Sequence, residues 1–207
     1  MGVVAVKRYK DSEIDKLAEI LKGDGVISAP TDTVYGVCAQ INSKNAFDKL
    51  AKIKNRPTTK SFPVMCCNIE QIRDIGIVDE KVEKLIEAFM PGPITLVLNK
   101  KSEAFINNAG LRETDELAVR MAPTKALNEL ITKLGRPIFM TSANHSGKAV
   151  CTSLGEIENE FLALDGILEG DVSFGEASTI VDCTRGEIRI QREGPITEEE
   201  IRRVLKG

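Results

Sequence analysis

Brief apolar runs, too short to be helices, alternate along this chain with amphipathic stretches of helical period, and no other feature restricts the fold as much. The period predicts a helix over Asp11–Lys22, with Ile14, Leu17, Ala18 and Leu21 on one face and Gly23 as its stop. A second is expected over Lys44–Lys54, where Ala46, Phe47, Leu50, Ala51 and Ile53 share a face and Pro57 prevents continuation. Val82–Phe89 and Thr124–Leu134 read as helices, Leu154–Phe161 as a weaker one, and Thr197 followed by three glutamates opens a last one. Strands are predicted at Val26–Ala29, Phe62–Cys66, Ile94–Leu98, Leu117–Met121 and Ile138–Met140. Two late strands, Ile180–Val181 and Ile188–Ile190, are joined by a turn around Arg185–Gly186. Together these predict an α/β fold: an open, twisted, mixed sheet with flanking helices, antiparallel in its late pair. The 207 residues suit one domain, 1–207, with a sizeable core. The least patterned stretch, Lys100–Glu116, is expected to be a mobile loop.

Several function classes are disfavoured at once. No apolar run approaches the ~18 residues that a membrane helix needs. The N-terminal basic residues Lys7, Arg8 and Lys10 lead into no apolar segment, so no secretion signal is read. Five cysteines, an odd number without a Cys-x-x-Cys pair, point to reduced thiols and a cytoplasmic location. A net charge of −3 argues against a strongly basic nucleic-acid surface. The single histidine, His145, cannot build a metal cluster or a hydrolase triad with the serines present. There is no Walker A sequence, and Gly23-x-Gly25 follows a helix and precedes a strand, the reverse of a dinucleotide fingerprint.

Chemistry concentrates in short polar segments. Lys54, Arg56 and Lys60 sit at a predicted helix C-terminus, where they are either a solvated basic cap or a clamp for phosphate. Thr141–Asn144 follows a strand, as a turn or as a ligand site at a carboxyl end. Thr31, Asp32, Thr33 and Tyr35 follow another strand end. Asp32 is open to roles as a turn residue, a metal ligand or a partner for a basic side chain. Pro91-Gly92-Pro93-Ile94-Thr95 reads as architecture, a tight reversal. Arg120, inside the apolar strand Ala118–Met121, calls for an anion, because an unpaired buried charge is costly.

Taken in order, Pro-Thr-Asp-Thr-Val-Tyr-Gly (30–36), Lys-x-Arg-Pro (54–57), Pro-Gly-Pro-Ile-Thr (91–95), Val-Arg (119–120), Thr-Ser-Ala-Asn-x-Ser-Gly (141–147), Ser-Thr-Ile-Val-Asp (178–182) and Arg-x-Gly-Pro-Ile (192–196) resemble the YrdC/YciO family over nearly the whole chain. The resemblance implies a YrdC-like domain of the single-domain form, with a concave ligand-binding face. It implies a threonylcarbamoyl-AMP synthase, making threonylcarbamoyl-adenylate and pyrophosphate from L-threonine, bicarbonate and ATP with Mg2+ riding on the nucleotide. That product would pass to downstream machinery that modifies adenosine 37 of tRNA. By the same resemblance Lys54, Arg56, Ser142 and Asn144 form a catalytic polar tetrad. Arg56, Lys60, Asn144, Thr152 and Arg192 would face ATP. Thr33, Arg120, Ser142 and Ser178 would hold L-threonine, with Arg120 on its carboxylate, while Asp32 and Tyr35 shape the loop. Residues 60–66 resemble the YciO branch, which implies an alternative: an RNA- or nucleotide-binding protein, contacting tRNA or double-stranded RNA without robust synthase activity.

Overall fold

The computed structural model describes residues 6–101, 115–173 and 175–207. Residues 102–114, most of the expected mobile loop, lie outside them. The strands are β1 (Arg8–Tyr9), β2 (Val26–Pro30), β3 (Tyr35–Gln40), β4 (Val64–Cys66), β5 (Ile94–Asn99), β6 (Glu116–Met121), β7 (Ile138–Ser142), β8 (Gly166–Leu168), β9 (Thr179–Asp182) and β10 (Arg189–Arg192). They form one ten-stranded sheet in the order β1-β8-β2-β3-β7-β4-β6-β5-β9-β10. It is mixed: β4 runs parallel to β6 and β5 to β9, while β2–β3, β3–β7, β4–β7, β5–β6 and β9–β10 are antiparallel. The predicted α/β fold with an antiparallel late pair is therefore observed.

The helices are α1 (Ile14–Lys22), α2 (Lys44–Ile53), α3 (Ile69–Ile75), α4 (Glu80–Phe89), α5 (Lys125–Leu134), α6 (Leu154–Glu160) and α7 (Glu198–Lys206). Polar side chains start most of them. Ser43, Asn68, Asp79, Ser153 and Thr197 each accept a backbone N–H in the first turn, and Thr197 with Glu200 completes a capping box. A single-turn 3-10 helix, Asp11–Glu13, occupies the start of the first predicted helix, and α1 proper begins at Ile14.

Burial divides the molecule into layers. Against one sheet face, Phe47 and Leu50 of α2, Ile72 of α3, Leu85 of α4, Ile157 of α6 and Ile201 of α7 pack with inward residues such as Phe139, Val64, Val119 and Leu96. Against the other face, α1 and α5 pack with Ile27, Cys38, Ile138 and Met140. These two helices cover the β2–β3–β7 side of that face, and the β6–β5–β9 side is where the hollow described below opens. Ala118 and Arg120 of β6, two apart on one face, line it together with residues at the ends of β7 and β9, among them Thr141, Ser142 and Ile180.

Strand β3 went unforeseen. Tyr35–Gln40 is buried at all six positions, so it lacks the polar alternation that marks a half-exposed strand. Its Gly36 lies against Met140, and a Cβ there would come within 2.5 Å of the methionine methyl carbon. The core is anchored by three phenylalanines. Phe47 meets Phe62 and Phe139 edge-on with centroids 5.4 and 5.5 Å apart, and all three rings are at most 1% exposed. We expect Phe47→Ala to lower the unfolding free energy by roughly 3–5 kcal/mol, the range for a buried aromatic truncated to a cavity, measured by urea denaturation.

Candidate functional site

The hollow has connected lobes. A small one, enclosing about 170 Å3, is lined by Thr31, Thr33, Thr95, Arg120, Ser178 and Arg192 among others. A second is lined by Lys54, Arg56, Pro57, Lys60, Ser142, Asn144 and Ser146. Thr141 and Ser142 belong to both, so the end of β7 is their common wall. A third lobe, with Ser61, Asp115, Glu116 and Gln191, shares Arg56 with the second and Pro63 and Ala118 with the first.

The cationic wall begins with a helix end. After α2 the chain turns at Asn55, whose φ of 48° is the left-handed conformation that asparagine tolerates better than most residues. Arg56 N–H then reaches back to Ala51 C=O at 2.9 Å, closing a Schellman-type stop. That reversal places Lys54 and Arg56 in different surroundings. Lys54 is 2% exposed. Its ammonium donates to the Ser142 carbonyl, the Asn144 carbonyl and, at 3.1 Å, Asn144 Oδ1. Ser142 Oγ donates to the same Oδ1 at 2.6 Å, and the Asn144 amide donates to the His145 and Lys148 carbonyls. Three members of the expected tetrad therefore hold one another.

Arg56 is the member left open to the hollow. Its guanidinium lies over the Phe62 ring at 5.1 Å and donates from Nη2 to the Ser61 carbonyl at 2.8 Å. Its Nε–H is buried and has no acceptor among the described residues. A donor in that state suits an incoming anion. Burial, then the nearby Arg56 charge, draws the Lys54 ammonium down to about 8 from its ordinary 10.5.

The small lobe is built from hydroxyls and a buried ion pair. Thr31 Oγ1 and Thr33 Oγ1 are 2.9 Å apart, and Thr95 Oγ1 and Ser178 Oγ 2.8 Å apart. Arg120 is ion-paired with Asp32 and donates from Nη1 to Thr33 Oγ1 at 2.7 Å and from Nε to the Gly92 carbonyl at 3.1 Å. The anion that this strand arginine required is thus Asp32. Burial pushes the Asp32 carboxyl up from its ordinary value, and attraction to Arg120 opposes that push.

The structure brings most of the expected residues together, with two rearrangements. Arg192 lines the small lobe with Arg120, Thr33 and Ser178, and is absent from the Lys54–Asn144 lobe. Thr152 lines none of these three lobes: its backbone N–H donates to Glu156 at 2.7 Å and its hydroxyl also turns to that carboxylate. Lys60 is exposed at the outer edge of the second lobe. Tyr35 braces the neighbouring turn by donating from its hydroxyl to the Gly170 carbonyl. His145 packs its ring on Phe161 at 4.8 Å. Sequence reading passed over Thr95 as part of a reversal; the signal was its place as the polar member of Ile94–Leu98. Among the described residues no group of three or more His, Cys, Asp or Glu side chains could hold a metal ion, and no helix is long and apolar enough to cross a membrane.

An open mixed α/β sheet with cationic and hydroxyl-lined lobes at its strand ends is a class of α/β protein whose site suits a polar, anionic ligand. The Sua5/YciO/YrdC family model, which carries the description "Telomere recombination", matches residues 19–194, and the chain belongs to that family. It is 33% identical over 203 residues to a threonylcarbamoyl-AMP synthase of Bacillus subtilis, covering 94% of this chain and 57% of that protein. Its fold matches the crystal structure of Pyrococcus abyssi Sua5 complexed with L-threonine, with a TM-score of 0.86 and 30% identity over 97% of this chain and 61% of that one. Escherichia coli YciO matches with a TM-score of 0.83 and 24% identity, covering 95% and 96% of the two chains. The chain thus spans about three-fifths of the length of the Bacillus and Pyrococcus relatives.

Lys54 gives the site a testable pH response. Its folded value near 8 lies below the ordinary 10.5, so between those limits the unfolded chain binds more protons and stability rises with pH. Relative to Lys54→Met, the wild-type unfolding free energy is expected to climb by about 1 kcal/mol per pH unit in that window, read from urea melts of both proteins. A flat difference would mean that the ammonium stays protonated throughout.

Proposed function

We propose that this chain is a threonylcarbamoyl-AMP synthase, a nucleotidyltransferase whose residues 1–207 act as one YrdC-like domain. It would convert L-threonine, bicarbonate and ATP into threonylcarbamoyl-adenylate and pyrophosphate in the cytoplasm. The observation that carries this reading is the common wall: Thr141 and Ser142 separate a lobe with the buried, acceptor-less Arg56 Nε–H from a lobe of hydroxyls around Arg120. Two substrates in those lobes would meet at the end of β7.

L-Threonine would occupy the small lobe, among Thr33, Arg120, Ser142 and Ser178, with its carboxylate toward Arg120. Its amine would take up CO2 derived from bicarbonate, losing a proton and giving a carbamate. The carbamate oxygen would attack the α-phosphorus of ATP across the Thr141–Ser142 wall, and pyrophosphate would leave on the Arg56 and Lys60 side. Neither step needs a protein nucleophile; alignment and charge compensation supply the rate. Arg56 would neutralise charge gathering on the phosphates, while Lys54, its protons engaged by Ser142 and Asn144, would fix the wall. Asn144 would act with them, Thr152 would approach ATP only from outside these lobes, and Arg192 would stand where nucleotide and amino acid meet. Magnesium would ride on the triphosphate, since the lobe's own donors are cations, hydroxyls and amides. The adenylate would pass to machinery that transfers the threonylcarbamoyl group to adenosine 37 of tRNA.

A coupled pyrophosphate assay with ATP and bicarbonate tests this reading. Release is expected to depend on L-threonine and to fall at least about 100-fold in Arg56→Ala, a variant expected to keep the wild-type circular dichroism spectrum. No threonine-dependent release, together with salt-sensitive RNA binding, would replace this reading with the RNA-binding alternative.

A further inference from the structure

Among the described residues that line the small lobe, Arg120 and Arg192 are the cations and none is a carboxylate. Asp32, the only buried carboxylate among the described residues, is ion-paired with Arg120. Arg192 is placed differently. Its Nε and Nη2 donate to the Ser178 carbonyl, at 3.1 and 2.7 Å, and it has no ion pair with a described carboxylate. A carbonyl is a neutral acceptor, so the Arg192 charge is left uncompensated. Burial draws the Arg120 guanidinium below its ordinary value, Asp32 opposes that, and the nearby Arg192 charge adds to it, so the two guanidiniums feel each other.

The chain around Arg192 is fixed without a ligand. The Gly194 and Ile196 N–H groups donate to Thr179 Oγ1 at 2.9 and 3.1 Å, and that hydroxyl donates to the Ile196 carbonyl at 2.6 Å. A Cβ on Gly194 would come within 2.3 Å of the Ala177 carbonyl oxygen. The segment that follows β10 is thus sewn onto the start of β9. A guanidinium has five N–H donors, of which the Ser178 carbonyl takes a pair, and the rest are open to a ligand.

The bound amino acid changes charge during the proposed reaction. A free α-amino acid enters as a zwitterion, with a carboxylate and an ammonium. Uptake of CO2 turns the ammonium end into an anion, and the N-carboxylated product carries two negative charges and no positive one. Overall the ammonium and a bicarbonate give the carbamate, a water and a proton released to solvent: an N–C bond forms, a C–O bond of bicarbonate breaks, and nothing is oxidised or reduced. With the carboxylate on Arg120, an unpaired guanidinium elsewhere in the lobe repels the ammonium and attracts the carbamate that replaces it. A group that favours the intermediate over the bound substrate lowers the barrier between them, and a prepositioned one does so without reorganising.

We propose that Arg192 is a catalytic residue for the carbamate step: it holds the N-carboxylate of the intermediate while Arg120 holds the α-carboxylate, so the lobe prefers the N-carboxylated amino acid to the free one. This rests on the reading of that lobe as an amino-acid site.

The test is calorimetric titration of the full chain with L-threonine, 2-(1-hydroxyethyl)butanedioate and N-carbamoyl-L-threonine. The second is the dianionic intermediate with a methylene in place of N–H, and the third has its shape but only the α-carboxylate charge. In wild type the dianion should bind more tightly than the carbamoyl compound by roughly tenfold, the worth of a hydrogen bond to a charged group. Arg192→Gln should abolish that preference and leave L-threonine affinity within about twofold of wild type, since the zwitterion gains nothing from the second cation. Arg192→Lys, which restores the charge, should recover most of the preference and keeps the proposal testable if Arg192→Gln fails to keep the wild-type circular dichroism spectrum. Equal losses for all three ligands in both variants, the mark of a structural role through Ser178, would overturn the proposal. So would a loss confined to ATP, which would make Arg192 a nucleotide contact; either result leaves the amino-acid site standing. A wild type that binds none of the three would overturn the amino-acid reading and the proposal with it.

Discussion

An ammonium group whose three protons all go to oxygens of one loop holds the cationic half of this site together. Lys54 comes from the end of α2 and its acceptors from the end of β7, two stretches 88 and 90 residues apart in sequence. A buried lysine with fewer acceptors would shed its proton or move toward water. Here the acceptors are two backbone carbonyls and an amide oxygen that cannot leave, because the Asn144 amide is itself fixed to the His145 and Lys148 carbonyls. The Ser146 backbone N–H and hydroxyl add bonds to the Lys54 carbonyl, each at 3.2 Å, so the loop grips the helix end from both sides. This division of labour frees Arg56. The lysine is consumed by architecture, and the arginine two residues later keeps a buried donor that has no acceptor among the described residues.

The charge of the whole molecule gives no hint of this. The chain carries −3 overall, yet Arg56, Lys60, Arg120 and Arg192 all line the hollow. Some acids elsewhere on the surface pair with cations far away in sequence, as in the Arg8–Glu158 and Lys49–Asp165 pairs that tie helices to the sheet's β1–β8–β2 side. Among the described residues one carboxylate, Asp32, is buried beside a cation of the hollow, and the other cationic groups there act at short range on whatever enters. Net charge describes behaviour in bulk solution; the potential in a recess depends on which groups face it.

Much of this was legible beforehand, and the gaps have identifiable causes. Amphipathic helices such as α2 and α5 stand out because their buried residues recur at helical spacing, and the segments that line the hollow stand out because hydroxyls and cations are unusual at strand ends. The need of Arg120 for an anion was readable from its apolar neighbours, but the choice of Asp32 was not, since it depends on β6 lying four strands from β2 in the sheet order. Strand β3 escaped because burial on both faces erases alternation, and α3 because seven residues give barely two turns of period. The separation of Lys54 from Arg56 hinges on one left-handed residue, Asn55, and no pattern of hydrophobicity reports a single φ angle. The family resemblance places Thr152 with ATP, whereas its short local bonds to Glu156 turn it away from the three lobes.

The order of strands has a further effect on how the molecule comes into being. Residue 8 pairs with residue 167, β3 with β7, and β5 with β9, so few neighbours in the sheet are neighbours along the chain. Each such pairing closes a long loop before it gains anything from contact, which slows assembly and places it late. The walls of the hollow are drawn from position 31 through position 192. During synthesis the recess therefore cannot exist until the chain has emerged through residue 192, and a nascent chain stalled short of β9 would expose its central strands with no pocket to show for them.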